Sequence, residues 1–118
     1  MADEDDVRRI ALSLPETTEK PSYGTPGFRV KDRLFLRIRS EAEGALAAYV
    51  SDLGEKEALI SSDPRTYFST PHYDGHAMVL VHLGAIDLDE LREVITEAWR
   101  VRAPAKVAKL LELPPSGG

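Results

Sequence analysis

Apolar residues recur along the chain with two different spacings, and the spacing changes at proline and glycine residues. Near the N-terminus the spacing is i, i+3, i+4 and i+7, at Val7, Ile10, Ala11 and Leu14. This pattern predicts an amphipathic helix over about residues 4–14,. Pro15 ends the helix because proline cannot continue its hydrogen bonding. Residues 16–26 are rich in Pro, Gly, Thr and Ser and are interpreted as a loop,.

A period of two follows, and it predicts a β-hairpin with a three-residue loop, Lys31-Asp32-Arg33. This register pairs Val30 with Leu34 and Phe28 with Leu36, and it leaves Ile38 on the same apolar face. A two-residue turn would mix apolar and polar side chains on both faces, so the longer loop is favoured. The opposite face of the predicted hairpin then carries Arg29, Phe35, Arg37 and Arg39.

The second half of the chain alternates between capping signals and short apolar runs. Residues 45–50 are compatible with a third strand and, because of their alanines, also with a helix,. Strands are predicted at 67–70 and 77–83,. D-x-x-E pairs at 52–55 and 87–90 predict the starts of two helices,. On the first helix, Leu53, Glu57 and Ile60 lie along one side. On the second, one stripe is formed by Leu88, Leu91, Ile95, Ala98 and Trp99,.

The resulting order is α-β-β-β-α-β-β-α followed by a short helix. Hairpin-length connections favour antiparallel pairing, so the fold class predicted is α+β: a mainly antiparallel five-stranded sheet with helices packed against it. A chain of 118 residues accommodates one domain with one core,. Residues 1–113 are assigned to this domain, and residues 114–118 to a flexible tail,.

The composition and the distribution of charge exclude several classes of function. The chain has no cysteine, which excludes disulfides, thiolate metal ligands and cysteine nucleophiles,. It lacks an apolar run near the ~20 residues that a membrane span requires, and its acidic N-terminus is unlike a secretory signal. A cytoplasmic location without a membrane partner is therefore expected. The net charge is −5, yet residues 20–40 carry +5 and residues 41–91 carry −8, so a basic surface must be local,.

The basic hairpin is the candidate for contact with nucleic acid. Guanidinium groups bind phosphate through two parallel hydrogen bonds, and an exposed aromatic ring stacks on bases. The alternative is an ordinary solvated hairpin whose arginines pair with the acidic segment. The candidate binding residues are Arg29, Lys31, Arg33, Phe35, Arg37 and Arg39.

The histidines suggest a metal site by their spacing, but their surroundings do not. His72 and His76 are four residues apart, as on the helix of some zinc enzymes,. Pro71 and Gly75 disfavour a helix here, and Asp74-Gly75 is a strong turn signal, so the segment is interpreted as a connection between strands. No metal and no cofactor are predicted. Contact of His72, Tyr73 and His76 with a small ligand stays as an alternative. No nucleophile elbow or Gly-rich phosphate loop is present, and the protein is not expected to be an enzyme.

Two blocks of sequence form a pattern that extends over most of the chain. The first comprises LPETTE at 14–19 and YGTPGFRV at 23–30; the second is YFSTPHYDGH at 67–76, followed by VLV at 79–81 and the helix to Trp99. In their order and spacing these blocks resemble the MmcQ/YjbR family over about residues 5–111, although Met78 stands where many members have tryptophan. The resemblance implies an α+β fold like that of secretion chaperones and a DNA-binding role without catalysis. A chaperone-like module that binds a partner protein through the sheet face is the alternative.

Overall fold

A computed structural model describes residues 2–22, 24–39 and 44–112, and this part of the chain forms four helices and six strands. The helices are α1 (Glu4–Leu12), α2 (Leu53–Ser62), α3 (Leu88–Arg102) and α4 (Ala105–Glu112). The strands are β1 (Thr17–Ser22), β2 (Thr25–Val30), β3 (Arg33–Ile38), β4 (Ala45–Tyr49), β5 (Tyr67–Phe68) and β6 (Met78–His82). The predicted tail, 114–118, and residue 113 lie outside the described residues.

The first three helices each begin at an aspartate that caps the backbone. The carboxylates of Asp3, Asp52 and Asp87 accept hydrogen bonds from backbone N–H groups three residues later, at 3.0, 2.8 and 2.8 Å. Such caps satisfy donors that would otherwise lack a partner at the helix N-terminus. The two D-x-x-E signals therefore mark the starts of α2 and α3 as the sequence predicts. Among the helices in the described ranges, none has the length and apolar character needed to cross a bilayer.

The strands form one open antiparallel sheet in the order β1-β2-β3-β4-β6-β5. The α+β class is confirmed, with six strands instead of the five predicted. The additional strand is β1, which lies in the segment interpreted as a loop. Its sequence, TTEKPS, has no apolar alternation that would predict a strand. It is an edge strand, and its pairing with β2 is made by backbone hydrogen bonds,.

The core lies between one face of the sheet and helices α1 and α3. From the helices it receives Val7, Ile10, Ala11, Leu91, Ile95, Ala98 and Trp99. The sheet supplies alternate residues of its central strands, including Leu46, Ala48, Val79 and Val81. Trp99 is fully buried as predicted, and its indole Nε1 donates a hydrogen bond to the carbonyl oxygen of Pro15 at 3.0 Å.

The residues between these core positions belong to the opposite surface of the sheet, which we call the outer face. On β4 and β6 this face carries Ala47 and Leu80, which form a second apolar cluster with Tyr73. Phe68 and Met78 pack against that cluster. Tyr73 belongs to the connection between β5 and β6, so this segment covers the apolar half of the outer face.

The β2–β3 hairpin differs from the prediction at its turn. A two-residue turn, Lys31-Asp32, joins the strands, and the paired residues are Val30 with Arg33, Arg29 with Leu34 and Phe28 with Leu36. Phe35 is left as the extra residue of a β-bulge, which resets the alternation so that Phe35 and Leu36 are both buried,. The predicted three-residue loop is wrong because the bulge, and not the loop length, keeps the apolar residues of both strands in the core.

Helix α2 turns a different side toward the protein from the one predicted. Leu53 and Glu57 are exposed, whereas Lys56 is buried and Leu59 and Ile60 are half-buried. The side of α2 that carries Leu53, Glu57 and Ile60 is therefore not the side that packs against the protein, and of these three residues only Ile60 is half-buried. The physical reason is that the Lys56 ammonium finds carbonyl acceptors on the segment that covers the outer face.

Candidate nucleic-acid interface

The pairing of β1, β2 and β3 places a row of cationic residues on the outer face. Lys20 pairs with Gly27, and Gly27 pairs with Arg37, so these three residues form one row across the strands. Gly27 itself is buried, so Lys20 and Arg37 are the side chains that this row presents. Arg29 lies on the next row, paired with Thr18 and Leu34, and Arg39 follows Arg37 by two residues. The outer face of this half of the sheet thus presents Lys20, Arg29, Arg37 and Arg39.

These rows contain no acidic residue at the described register positions. At the positions paired with Lys20, Arg29 and Arg37 on the neighbouring strands, the residues are glycine, threonine, leucine and alanine. The Lys20 ammonium lies 3.7 Å from a carboxylate oxygen of Asp32, which is at the hairpin turn and highly exposed. An exposed pair of this kind is screened by water and contributes little to stability.

Two of these arginines converge on one tyrosine hydroxyl. Nη1 of Arg37 and Nη1 of Arg39 donate to the Tyr73 hydroxyl oxygen at 3.1 and 2.8 Å, and the Arg39 guanidinium lies 5.1 Å from the centre of the Tyr73 ring. Arg37 Nε also donates to the Thr25 hydroxyl at 3.4 Å. Both arginine side chains are half-buried, so their guanidinium groups are oriented by the protein.

The segment that carries Tyr73 is shaped by its own turns. The backbone N–H groups of Tyr73 and Asp74 both donate to the carbonyl oxygen of Thr70, at 2.8 and 2.9 Å. Gly75 has a φ of 84°, a left-handed conformation that favours glycine,. The turn interpretation of Asp74-Gly75 is therefore confirmed. The Ser69 hydroxyl closes the turn by donating to the Asp74 carboxylate at 2.8 Å.

Hydrogen bonds from Lys56 connect this segment to helix α2. Its side chain is 5% exposed, and its ammonium donates to the carbonyl oxygens of Tyr73 at 2.6 Å and His76 at 3.0 Å. Burial lowers the pKa of Lys56, and the nearby Asp74 carboxylate partly offsets this effect,. Lys56 was absent from the predicted site, because a lysine in an exposed-looking helix gives no sequence signal that it will be buried.

The remaining residues predicted to bind nucleic acid lie elsewhere. Phe35 was expected on the solvent face and is fully buried, so it cannot stack on a base. Lys31 is in the turn, 3.6 Å from Glu16, and Arg33 donates to the carbonyl oxygen of Arg102 at 3.4 Å, next to helix α3. Of the six predicted residues, the structure brings together Arg29, Arg37 and Arg39.

The three histidines do not meet. His72 is exposed and lies edge-on to the Tyr73 ring, with centroids 5.0 Å apart. His76 is exposed, and His82 stacks on Phe68 at 4.1 Å. Within the described ranges, no three or more residues of metal-ligating type form a group. Of the predicted ligand-binding residues, Tyr73 thus faces the arginines, and the histidines on either side of it face solvent.

The protein is an α+β protein with an open antiparallel sheet. Helices cover one face of this sheet, and cationic side chains lie on part of the other. The crystal structure of Deinococcus radiodurans protein DR2400, which has a DUF419 domain, matches with a TM-score of 0.74. The match covers 100% of this chain and 96% of that chain at 20% sequence identity, which establishes the shared fold.

The family model YjbR matches residues 12–101. The uncharacterized proteins Rv2570 of Mycobacterium tuberculosis and Mb2600 of Mycobacterium bovis are each 39% identical to this chain over 122 residues. Each alignment covers 92% of this chain and 95% of the relative. The chain belongs to the YjbR family, which confirms the resemblance found in the sequence.

Proposed function

We propose that this protein binds DNA, without catalysis, through phosphate contacts of Lys20, Arg29, Arg37 and Arg39 on the outer face. The observation that carries the proposal is the convergence of Arg37 and Arg39 on the Tyr73 hydroxyl. This shared contact orients both guanidinium groups on the outer face. Groups held in place before binding lose less conformational entropy when they meet a phosphate.

The chemistry of the face favours contact with the DNA backbone over reading of bases. Guanidinium and ammonium groups bind phosphate irrespective of sequence. The one aromatic ring predicted to stack, Phe35, is buried in the core. We therefore expect binding that does not depend on sequence. We also expect it to be weak, because the net charge of −5 repels the same DNA at longer range,.

The proposal is tested by the salt dependence of binding to a fluorescent 20-base-pair duplex, followed by anisotropy. Four phosphate contacts predict that log affinity falls with log salt at a slope of about −3.6. An increase from about 50 to about 200 mM salt should then weaken binding by about a hundredfold. Arg37→Ala with Arg39→Ala should flatten the slope by about 1.8. The matched control, Arg92→Ala with Arg100→Ala, removes the same charge from helix α3 and should leave the slope unchanged.

A second variant tests the orienting role of Tyr73 at constant charge. Tyr73→Phe keeps the ring in the apolar cluster and removes the hydroxyl that holds both arginines. Without the hydroxyl, the two arginine side chains must be immobilised on binding at about 0.5–1.5 kcal/mol each, so binding should weaken by about tenfold. Failure to bind at low salt, or equal binding by the double arginine variant, would contradict the proposal. It would favour the alternative of a partner protein on the sheet face.

A further inference from the structure

A second surface of the protein, away from the cationic rows, forms a groove. It has a volume of about 650 Å³ and lies between helices α2 and α3, at the end of β4 and beside β5. This volume falls within the range of about 300–1,000 Å³ found for small-molecule sites. The apolar side chains that line it are Tyr49, Val50, Leu59, Tyr67 and Val94.

Carboxylates stand along both helices that flank this apolar lining. Glu90, Glu93 and Glu97 follow one another at helical spacing on α3, and Glu55 lies on α2. The lining also includes Arg92 and Arg100, and Arg100 is already 3.8 Å from the Glu97 carboxylate. With the Arg102 guanidinium over the Tyr49 ring included, four carboxylates stand against three guanidinium groups, which leaves the groove with an excess of one negative charge.

Two contacts fix the walls of the groove before any ligand enters. The Tyr67 hydroxyl donates a hydrogen bond to the Glu90 carboxylate, which holds that carboxylate at the junction of β5 and α3. The Arg102 guanidinium lies 4.5 Å from the centre of the Tyr49 ring and supports the ring. Apolar and acidic surfaces therefore adjoin each other on a framework of fixed side chains.

We propose that this groove binds a small organic cation, with an aromatic or aliphatic body on the apolar lining and a protonated amine beside the carboxylates. Charge complementarity selects the occupant: an anion of the same shape is repelled by the surplus negative charge, and a neutral molecule gains only the apolar contact. The site is formed by α2 and α3 and is separate from the outer face. It therefore does not depend on DNA binding.

The test uses 2-phenylethylamine as the probe, with its neutral N-acetyl derivative and with phenylacetate as the anion, in NMR titrations of the ¹⁵N-labelled chain. The amine should shift the amide signals of Leu59, Val94 and Tyr49 in a saturable way. The N-acetyl derivative should bind about three- to tenfold more weakly, since one or two partly exposed ion pairs are lost. Phenylacetate should give no saturable shift.

Charge variants locate the site. Glu93→Gln combined with Glu55→Gln should weaken amine binding about threefold or more. The control, Glu57→Gln, neutralises an exposed carboxylate of α2 that does not line the groove and should leave binding unchanged. Equal binding of the amine and its N-acetyl derivative, or no shift at millimolar amine, would overturn the proposal. Tighter binding of the tripeptide acetyl-Ala-Arg-Ala-amide than of the amine would replace it with docking of a basic peptide.

Discussion

At the scale of single residues, Lys56 has the least common environment in the described part of the chain. Lysine is rarely buried, because removing an ammonium group from water is costly unless hydrogen bonds replace the lost hydration. Here two backbone carbonyls supply those bonds and, in return, their own residues are tied to helix α2. The position of Tyr73, and through it the orientation of two arginines, rests on one buried cation.

The lowered pKa of Lys56 makes stability depend on pH in a defined direction. Between the lowered value and the ordinary value of 10.5, the unfolded chain binds more protons at this site than the folded chain. The free energy of unfolding contributed by Lys56 therefore rises with pH through this window. In urea titrations at increasing pH, the difference between the wild type and Lys56→Met should shift in favour of the wild type. The exposed Lys106→Met should instead run parallel to the wild type, and a parallel Lys56→Met curve would contradict the assignment.

Trp99 is the largest fully buried side chain and links helix α3 to the segment before β1. Trp99→Ala should lower the free energy of unfolding by about 3–5 kcal/mol, through lost burial and the cavity left behind. Trp99→Phe keeps a ring in the core but leaves the Pro15 carbonyl without its donor, so its loss should be smaller. Both are measured by urea unfolding. A Trp99→Ala loss below about 1 kcal/mol would show that the neighbouring side chains collapse into the space.

At the scale of secondary-structure elements, the sequence predicts those whose apolar period or capping signal is local. Helix α3 has both signals: its start was correctly predicted, and so were four of the five residues of its apolar stripe, whereas Leu88 is 42% exposed because it lies at the first turn of the helix. Strand β1 has neither, because its pairing with β2 uses backbone groups that any sequence possesses. The bulge at Phe35 was missed for a related reason. Its position depends on which register of β2 against β3 buries more apolar surface, and that register depends on contacts with the rest of the core.

The β2–β3 turn provides a prediction at this scale. Lys31 and Asp32 have φ values of 48° and 66°, a geometry in which Asn-Gly is favoured and most side chains are strained,. Lys31→Asn with Asp32→Gly should raise the free energy of unfolding by about 0.5–1 kcal/mol, since relief of backbone strain exceeds the loss of two exposed ion pairs. Lys31→Ala with Asp32→Ala loses the same pairs without relieving the strain and should be destabilising. Thermal unfolding of the three proteins distinguishes these outcomes.

At the scale of the whole molecule, one residue of the predicted ligand-binding loop, Tyr73, meets two arginines of the predicted basic hairpin. Arg37 and Tyr73 are 36 residues apart and in different predicted sites, yet they share a hydrogen bond. No local pattern contains this contact, because it arises from the strand order and from the segment that folds back over β4 and β6. Three arginines on one face were predictable from a period of two. The convergence of two of them, Arg37 and Arg39, on the hydroxyl of Tyr73 was not.

The open sheet ends at two edge strands, β1 and β5. In the described part of the chain each has a neighbouring strand on one side only, and a strand from another molecule can pair with the other side of an edge strand,. Strand β5 is two residues long and offers little to extend. Strand β1 is longer but carries Lys20 and Pro21, a charge and a residue without an N–H group, which both oppose the growth of β-fibrils,. We therefore expect little self-assembly along these two edges of the sheet. Lys20→Thr with Pro21→Val should increase self-assembly, seen as rising light scattering and thioflavin T fluorescence in solutions where the wild type stays clear.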